Sequence, residues 1–195
     1  MPQKIDRRAF LRLAGSLGLA STLPLVSPAL GRASLGQGLK VVQESRMLMG
    51  TVVAVTVVDE SSDRAVMALE QAFERMSGLT PIFDRHRPGG PVAQLNAEGH
   101  LGRLTPELAR VLNLAQSVHQ DTNGAFDITV APLVDIYRQS FAASGRPPAP
   151  ARVDQALKAI GGVKAEGQGL VLTAEGAGVT LAGLAKGWIA DQGIA

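Results

Sequence analysis

Thr105-Pro106-Glu107-Leu108, running on through Val118 and closing at Asn123-Gly124, is the stretch from which the fold is read. Threonine offers a side-chain oxygen to the free N–H groups of a helix start, proline suits the first helical position, and an acid in the first turn matches the helix dipole. Leu108, Val111, Leu112, Ala115 and Val118 then recur at three- and four-residue steps, which is one apolar face of a helix. Asn123 and Gly124 tolerate positive φ and end it. Directly beyond lies Ala125-Phe126-Asp127. With so little side chain at Gly124 and Ala125, backbone can approach a flat ligand there, and Asp127 offers two acceptor oxygens. Locally the same residues also suit a capped helix end with a buried Phe and a solvated Asp.

Upstream, residues 39–42 and 51–58 are rich in β-branched side chains and are predicted strands, with Met47-Leu48-Met49-Gly50 between them. Ser62 and Asp63 cap a predicted helix to about Gly78, with Val66, Leu69, Phe73 and Met76 along its core stripe. Residues 79–90, broken by Pro81, Pro88 and Gly89-Gly90, read as loop, and 91–97 as a short helix. Downstream, 133–141 is predicted helical, 144–150 is a Pro-rich connector, and a helix over 152–160 stops at Gly161-Gly162. Residues 163–165, 170–173 and 179–182 read as a meander of short strands, and a last helix begins near Gly183. No internal repeat interrupts this order. The class is α+β, mixed strands with flanking helices.

With 195 residues the chain can bury one ordinary core. Hydrophobic residues make up 46% and aromatics only 4%, so that core is built from Leu, Val, Ile and Ala. The net charge of +2 is misleading, because residues 1–33 carry Lys4, Arg7, Arg8, Arg12 and Arg32 against Asp6 alone, leaving a net of −2 beyond them. A nucleic-acid surface needs a basic cluster in the folded part, and the sequence shows none. There is no cysteine, which excludes disulfides, thiolate metal sites, a cysteine nucleophile and a lipoprotein anchor. Three scattered histidines without a carboxylate at ligand spacing argue against zinc, and His100 and His119 read as structural or exposed.

Arg7-Arg8-Ala9-Phe10-Leu11 precedes a weakly apolar run to about Leu30 that Pro24 and Pro28 break. This is the pattern of a twin-arginine export signal rather than a spanning helix. The expected division is a signal peptide over 1–33 and a mature chain over 34–195, with cleavage after Ala29 or Ala33 and a periplasmic destination.

Four segments carry a resemblance. They are Met49-Gly50-Thr51; Phe83-Asp84-Arg85-His86-Arg87-Pro88 leading to Leu95-Asn96; Thr122-Asn123-Gly124-Ala125-Phe126-Asp127 through Val134; and Val179-Thr180-Leu181-Ala182-Gly183-Leu184-Ala185-Lys186-Gly187-Trp188. In order and spacing they resemble the ApbE family, the FAD:protein FMN transferases. The likeness implies a two-lobed α+β fold with FAD between the lobes. It also implies magnesium-dependent transfer of FMN from FAD to a threonine of a partner protein, with release of AMP. The partner it suggests is an exported domain of a membrane redox complex. It carries FAD contacts onto Met49, His86, Ala125, Phe126, Asp127, Thr180 and Lys186, and a magnesium-ligating carbonyl onto Gly183.

The local chemistry stands beside that likeness. Small residues at 180–187 make a turn into a helix whose free N–H groups favour phosphate, and Lys186 adds a positive charge. The glycine spacing is not that of a Walker loop. A methionine sulfur can lie on a flavin, and an imidazole can stack on one; a core methionine, a surface histidine and an exposed lysine are the plainer alternatives. Two departures are visible. Many relatives carry Asp where this chain has Thr180, and the loop that often reads Ser-Thr-Tyr is Asp84-Arg85-His86 here. The remaining magnesium ligands of the family, an Asp and a Thr, fall downstream of the last residue. The expectation is therefore a C-terminally truncated chain, inactive by itself. An exported FAD carrier and an inactive remnant are the competing readings.

Overall fold

β-Branched residues and a tight turn make the first sheet. The computed structural model describes residues 31–34 and 38–195, with side chains from Gly38 onward. The expected twin-arginine motif and apolar run lie outside the described residues. Strands β1 (Gly31–Ser34), β2 (Lys40–Leu48) and β3 (Thr51–Asp59) pair antiparallel in the order β1-β2-β3. The expected strand at 39–42 is thus too short. Its polar continuation stays in the ladder because Glu44, 8% exposed, pairs with Arg46, whose guanidinium lies 4.4 Å from the Phe73 ring centroid and also binds Glu70. Leu48 faces Thr51, so Met49 and Gly50 alone form the hairpin turn, with φ of 55° and 69°. Positive φ at both central residues is the turn whose twist matches that of the flanking strands.

Helix α1 (Ser62–Phe83) is capped by Ser61 and runs beyond the expected stop at Gly78, straight through Pro81. Leu79 and Phe83 continue the buried stripe of Leu69, Phe73 and Met76, and burying each such side chain is worth roughly 1.5–3 kcal/mol, comparable to the cost of an internal proline. Next come α2 (Pro91–Glu98), β4 (His100–Leu101) and α3 (Pro106–Asp121). The Thr105 hydroxyl accepts from the Leu108 N–H at 3.2 Å, and Asn123 and Gly124 take φ of 51° and 81° at the helix end, as the sequence predicts. A 3₁₀ turn (Ile128–Val130) leads into α4 (Ala131–Ser144), followed by α5 (Pro150–Leu157), β5 (Val163–Glu166), β6 (Gly169–Leu172) and α6 (Ala185–Gly193).

The second sheet has the order β4-β6-β5. A Cβ at Gly169 would fall 1.7 Å from the Leu101 carbonyl oxygen, so only glycine lets β6 pair with β4 here. Helix α6 packs on α1, and Gly193 lets it approach: a Cβ there would stand 2.7 Å from Met76 Cγ. The expected third strand of the meander, 179–182, is not one. Its backbone is bonded to a side chain and a loop instead, as described next. The core joins the α1 stripe to Val42, Leu95, Leu108, Val111, Val179, Leu181 and Ile189. Among the described residues no helix is long and apolar enough to cross a membrane.

Candidate functional site

Met49, His86, Thr180 and Lys186 line one cavity of about 400 Å³. They come from the β2–β3 turn, the α1–α2 loop and the segment entering α6. Phe83, Ala182, Ala185 and Ile189 supply apolar wall, and Thr80, Asp84 and Arg85 supply polar wall. Phe83 is fixed by an edge-on contact with Trp188, the ring centroids 5.4 Å apart.

Each functional position is held by local chemistry. Met49 sits at φ 55°, a left-handed conformation that a side chain of its kind rarely adopts. His86 is exposed; its N–H donates to Asp84 Oδ1 at 2.9 Å. Arg85 forms a two-pronged bond to Asp135 on α4, at 2.7 and 2.6 Å. Those bonds hold the Asp135 carboxyl below the usual carboxylate range.

Thr180 is placed by two partners of the preceding backbone. The Asn96 amide donates to the Val179 carbonyl at 2.9 Å and accepts from its N–H at 2.7 Å, while the Thr180 N–H donates to the Ile128 carbonyl at 2.7 Å. Asn96 thereby does the work of a neighbouring strand, which explains why 179–182 is extended without belonging to a sheet.

Lys186 stands in the first turn of α6. A cation there opposes the helix dipole, and its ammonium has no ion-pair partner among the described residues. The Ala185 N–H reaches back to the Leu181 carbonyl and the Trp188 N–H to the Leu184 carbonyl. An anion beside this turn would answer the dipole and the lysine together.

Ala125, Phe126 and Asp127 lie on the loop after α3. Ala125 is exposed and Phe126 half-buried. Phe126 meets the other small-residue turn: a Cβ on Gly183 would come 3.2 Å from its ring. Asp127 is not brought into the first cavity. It lines a second one, about 470 Å³, among Leu104, Leu112, Ile128, Leu170 and His119. Its Oδ1 accepts from the Thr129 N–H at 2.7 Å and from the Thr129 hydroxyl at 2.5 Å, and Thr129 Oγ1 accepts in turn from the Gly161 N–H at 2.7 Å. Asp127 Oδ2 lies 3.6 Å from His119 Nδ1, which bonds the Phe126 carbonyl at 2.7 Å. One carboxylate oxygen therefore caps the 3₁₀ turn and the other faces the imidazole.

Gly183 is exposed. Among the described residues no group of three His, Asp or Glu side chains is arranged to hold a metal. Magnesium takes six oxygens in near-ideal octahedral geometry, so the Gly183 carbonyl alone does not make its site.

Three contributors were not named from sequence: the Asn96 clamp, the Arg85–Asp135 pair and the His119 bond to the loop. Asn96 was legible as a motif position but not as a clamp. Arg85 and Asp135 are 50 residues apart, and no local signal links them.

By fold and site chemistry this is an α+β protein in which Lys186, at a small-residue helix start, stands beside an apolar recess with a sulfur and an imidazole on its wall. More narrowly, the model of the ApbE family matches residues 49–195, and the chain belongs to that family. Solved structures share the fold. The ApbE protein of Thermotoga maritima is 22% identical with a TM-score of 0.65, over 78% of this chain and 51% of that one. The flavin transferase ApbE of Vibrio cholerae is 21% identical with a TM-score of 0.65, over 80% and 52%. The apo flavinyl transferase ApbE of Pseudomonas stutzeri is 18% identical with a TM-score of 0.59, over 88% and 53%. The chain thus spans about half the length of these solved relatives. Comparison with curated proteins gave no match.

Proposed function

We propose that this chain forms the FAD-binding part of a flavin transferase that moves FMN from FAD onto a threonine of a partner protein. What supports the reading is the convergence of Met49, His86, Thr180 and Lys186, remote in sequence, on one cavity of about 400 Å³. That volume is within the range of small-molecule sites, and its apolar walls with a few polar groups suit a flavin ring followed by phosphate. Family membership and a relative named as a flavin transferase support the same reading.

In the proposed reaction the threonine hydroxyl oxygen attacks the FMN-side phosphorus of FAD. A phosphoester bond forms, the bond from that phosphorus to the bridging oxygen breaks, AMP departs with the bridging oxygen, and the hydroxyl proton is released. Such transfers depend on positioning and on fixed positive charge more than on covalent help. Lys186 and the start of α6 supply that charge, Met49 and His86 hold the ring, and the Thr180 turn sets the diphosphate between them. Magnesium, when bound, would offset the negative charge developing at the phosphates, and Gly183 is the position in this chain that the likeness assigns to holding it. The protein is proposed to work in the periplasm after twin-arginine export, on an exported domain of a membrane redox complex.

The test mixes the full-length protein with FAD, Mg²⁺ and a threonine-bearing acceptor domain, then reads flavin fluorescence on the denatured acceptor. Covalent label that disappears when the threonine is changed to alanine is the expected result. FAD bound without any label on the acceptor would reduce the protein to a flavin carrier.

A further inference from the structure

The Asp84-Arg85-His86 loop is held by its own backbone turn and by a charged tie to α4. Arg85 and Asp135 are 14% and 28% exposed in their side chains, and their bond is bidentate at 2.7 and 2.6 Å. A planar guanidinium facing a carboxylate through two parallel bonds fixes orientation as well as distance, which a lysine point charge cannot do. Arg138, one turn along α4, stands 3.2 Å from the same carboxylate, and His86 adds a weaker favourable field. Arg85 and His86 both line the first cavity, whereas Asp135 belongs to α4. The pair therefore ties a cavity-lining loop to a separate helix.

We infer that Arg85 and Asp135 are a positioning pair that fixes residues 84–90 at the rim of the first cavity and so sets where His86 stands. What His86 then touches rests on the FAD reading above. Two of the five N–H donors of Arg85 are taken by Asp135, whose carboxylate answers its charge. The fixed positive charge is left to Lys186.

Two measurements on the same variants separate this inference from the functional reading. The first is amide hydrogen exchange of residues 84–90 in the FAD-free protein. The second is FAD titration followed by quenching of flavin fluorescence, which reports a ring stacked at His86. Asp135→Asn is expected to speed exchange in the loop about tenfold, and to raise the Kd for FAD about tenfold, with less quenching in the bound state. Arg85→Lys, which keeps the charge and loses the fork, is expected to fall between. The charge-swapped variant carrying Arg85→Asp and Asp135→Arg, with Arg138→Gln to remove the neighbouring like charge, is expected to recover slow exchange and quenching, which a general loss of stability would not allow.

Unchanged exchange and unchanged Kd in Asp135→Asn would overturn the inference. So would equal loosening in the single and swapped variants, since the order of the loop would then not come from this pairing. A wild-type protein that shows the expected exchange pattern but binds no FAD would uphold the pair as the hold on the loop and sink the flavin reading instead.

Discussion

Thr180 lines the first cavity and Ile128 the second, one hydrogen bond joins their backbones, and the two cavities are built differently. The first gathers Met49, His86, Thr180 and Lys186, and leaves Lys186 without an ion-pair partner among the described residues. The second contains Asp127, whose Oδ1 is occupied by Thr129 and whose Oδ2 faces His119. One cavity exposes Lys186; in the other, Asp127, Thr129 and His119 are engaged in holding a turn. The contact between Phe126 and Gly183 joins the two turns that carry these residues. The difference teaches that residues of one motif set need not play one role. Lys186, at a helix start, is left unpaired among the described residues, whereas Asp127 holds the loop that brings Phe126 to Gly183.

The largest expected effect breaks the first cavity's charge. On the proposed reaction, Lys186→Ala lowers turnover about a hundredfold, the scale of losing one preorganised charge-stabilising contact. Thermal stability is expected to hold, because Lys186 is exposed and has no ion-pair partner among the described residues. The measurement is single-turnover labelling of the acceptor beside a melting curve. Wild-type turnover would remove the distinction between the cavities.

A smaller effect falls on the clamp that holds the segment before Thr180. Asn96→Ala strands the Val179 N–H and carbonyl, at a residue only 1% exposed. Leaving two buried backbone groups unpaired costs roughly 2–4 kcal/mol, less whatever water recovers. Urea unfolding is expected to show that loss, and FAD affinity to fall with it as the Thr180 turn shifts. A stability unchanged to within about 0.5 kcal/mol would mean that the clamp does not hold the turn.

Much of this molecule was legible in its residues, and the failures have physical causes. The α3 cap, stripe and terminus were readable because each is a local signal: Thr105, Pro106, the Leu108–Val111–Ala115 face and Asn123-Gly124. The end of α1 was not, because Leu79 and Phe83 continue through a proline on the strength of tertiary burial. Residues 179–182 look like a strand since they are apolar and extended; that their partner is the Asn96 side chain, 83 positions away, leaves no trace in local pattern. The site divides in the same way. Its motif residues were named, but Asp127's place in the second cavity was not. Met49 is instructive, since the turn it occupies favours Asn or Gly at positive φ. A methionine kept there against local preference is the kind of broken rule that accompanies function.

The smallest expected effect concerns the charged tie at the rim of the first cavity, and its sign follows from the Arg85 bonds that hold the Asp135 carboxyl below its ordinary value. A carboxyl with a depressed folded pKa binds protons less readily in the native state than in the unfolded chain, where its value is about 3.9. Its contribution is therefore fully present above that value and is lost as pH falls through the lower folded one. Comparing wild type with Asp135→Asn isolates the group. The stability gap between them is expected to stay near 1 kcal/mol or less from about pH 8 to pH 5, given the partial exposure of the pair, and to close below about pH 4. Denaturant midpoints at a series of pH values read this directly. A gap that widens in acid would mean that the carboxylate is not what Arg85 grips, and the loop carrying His86 would then owe its order to the Asp84 turn alone.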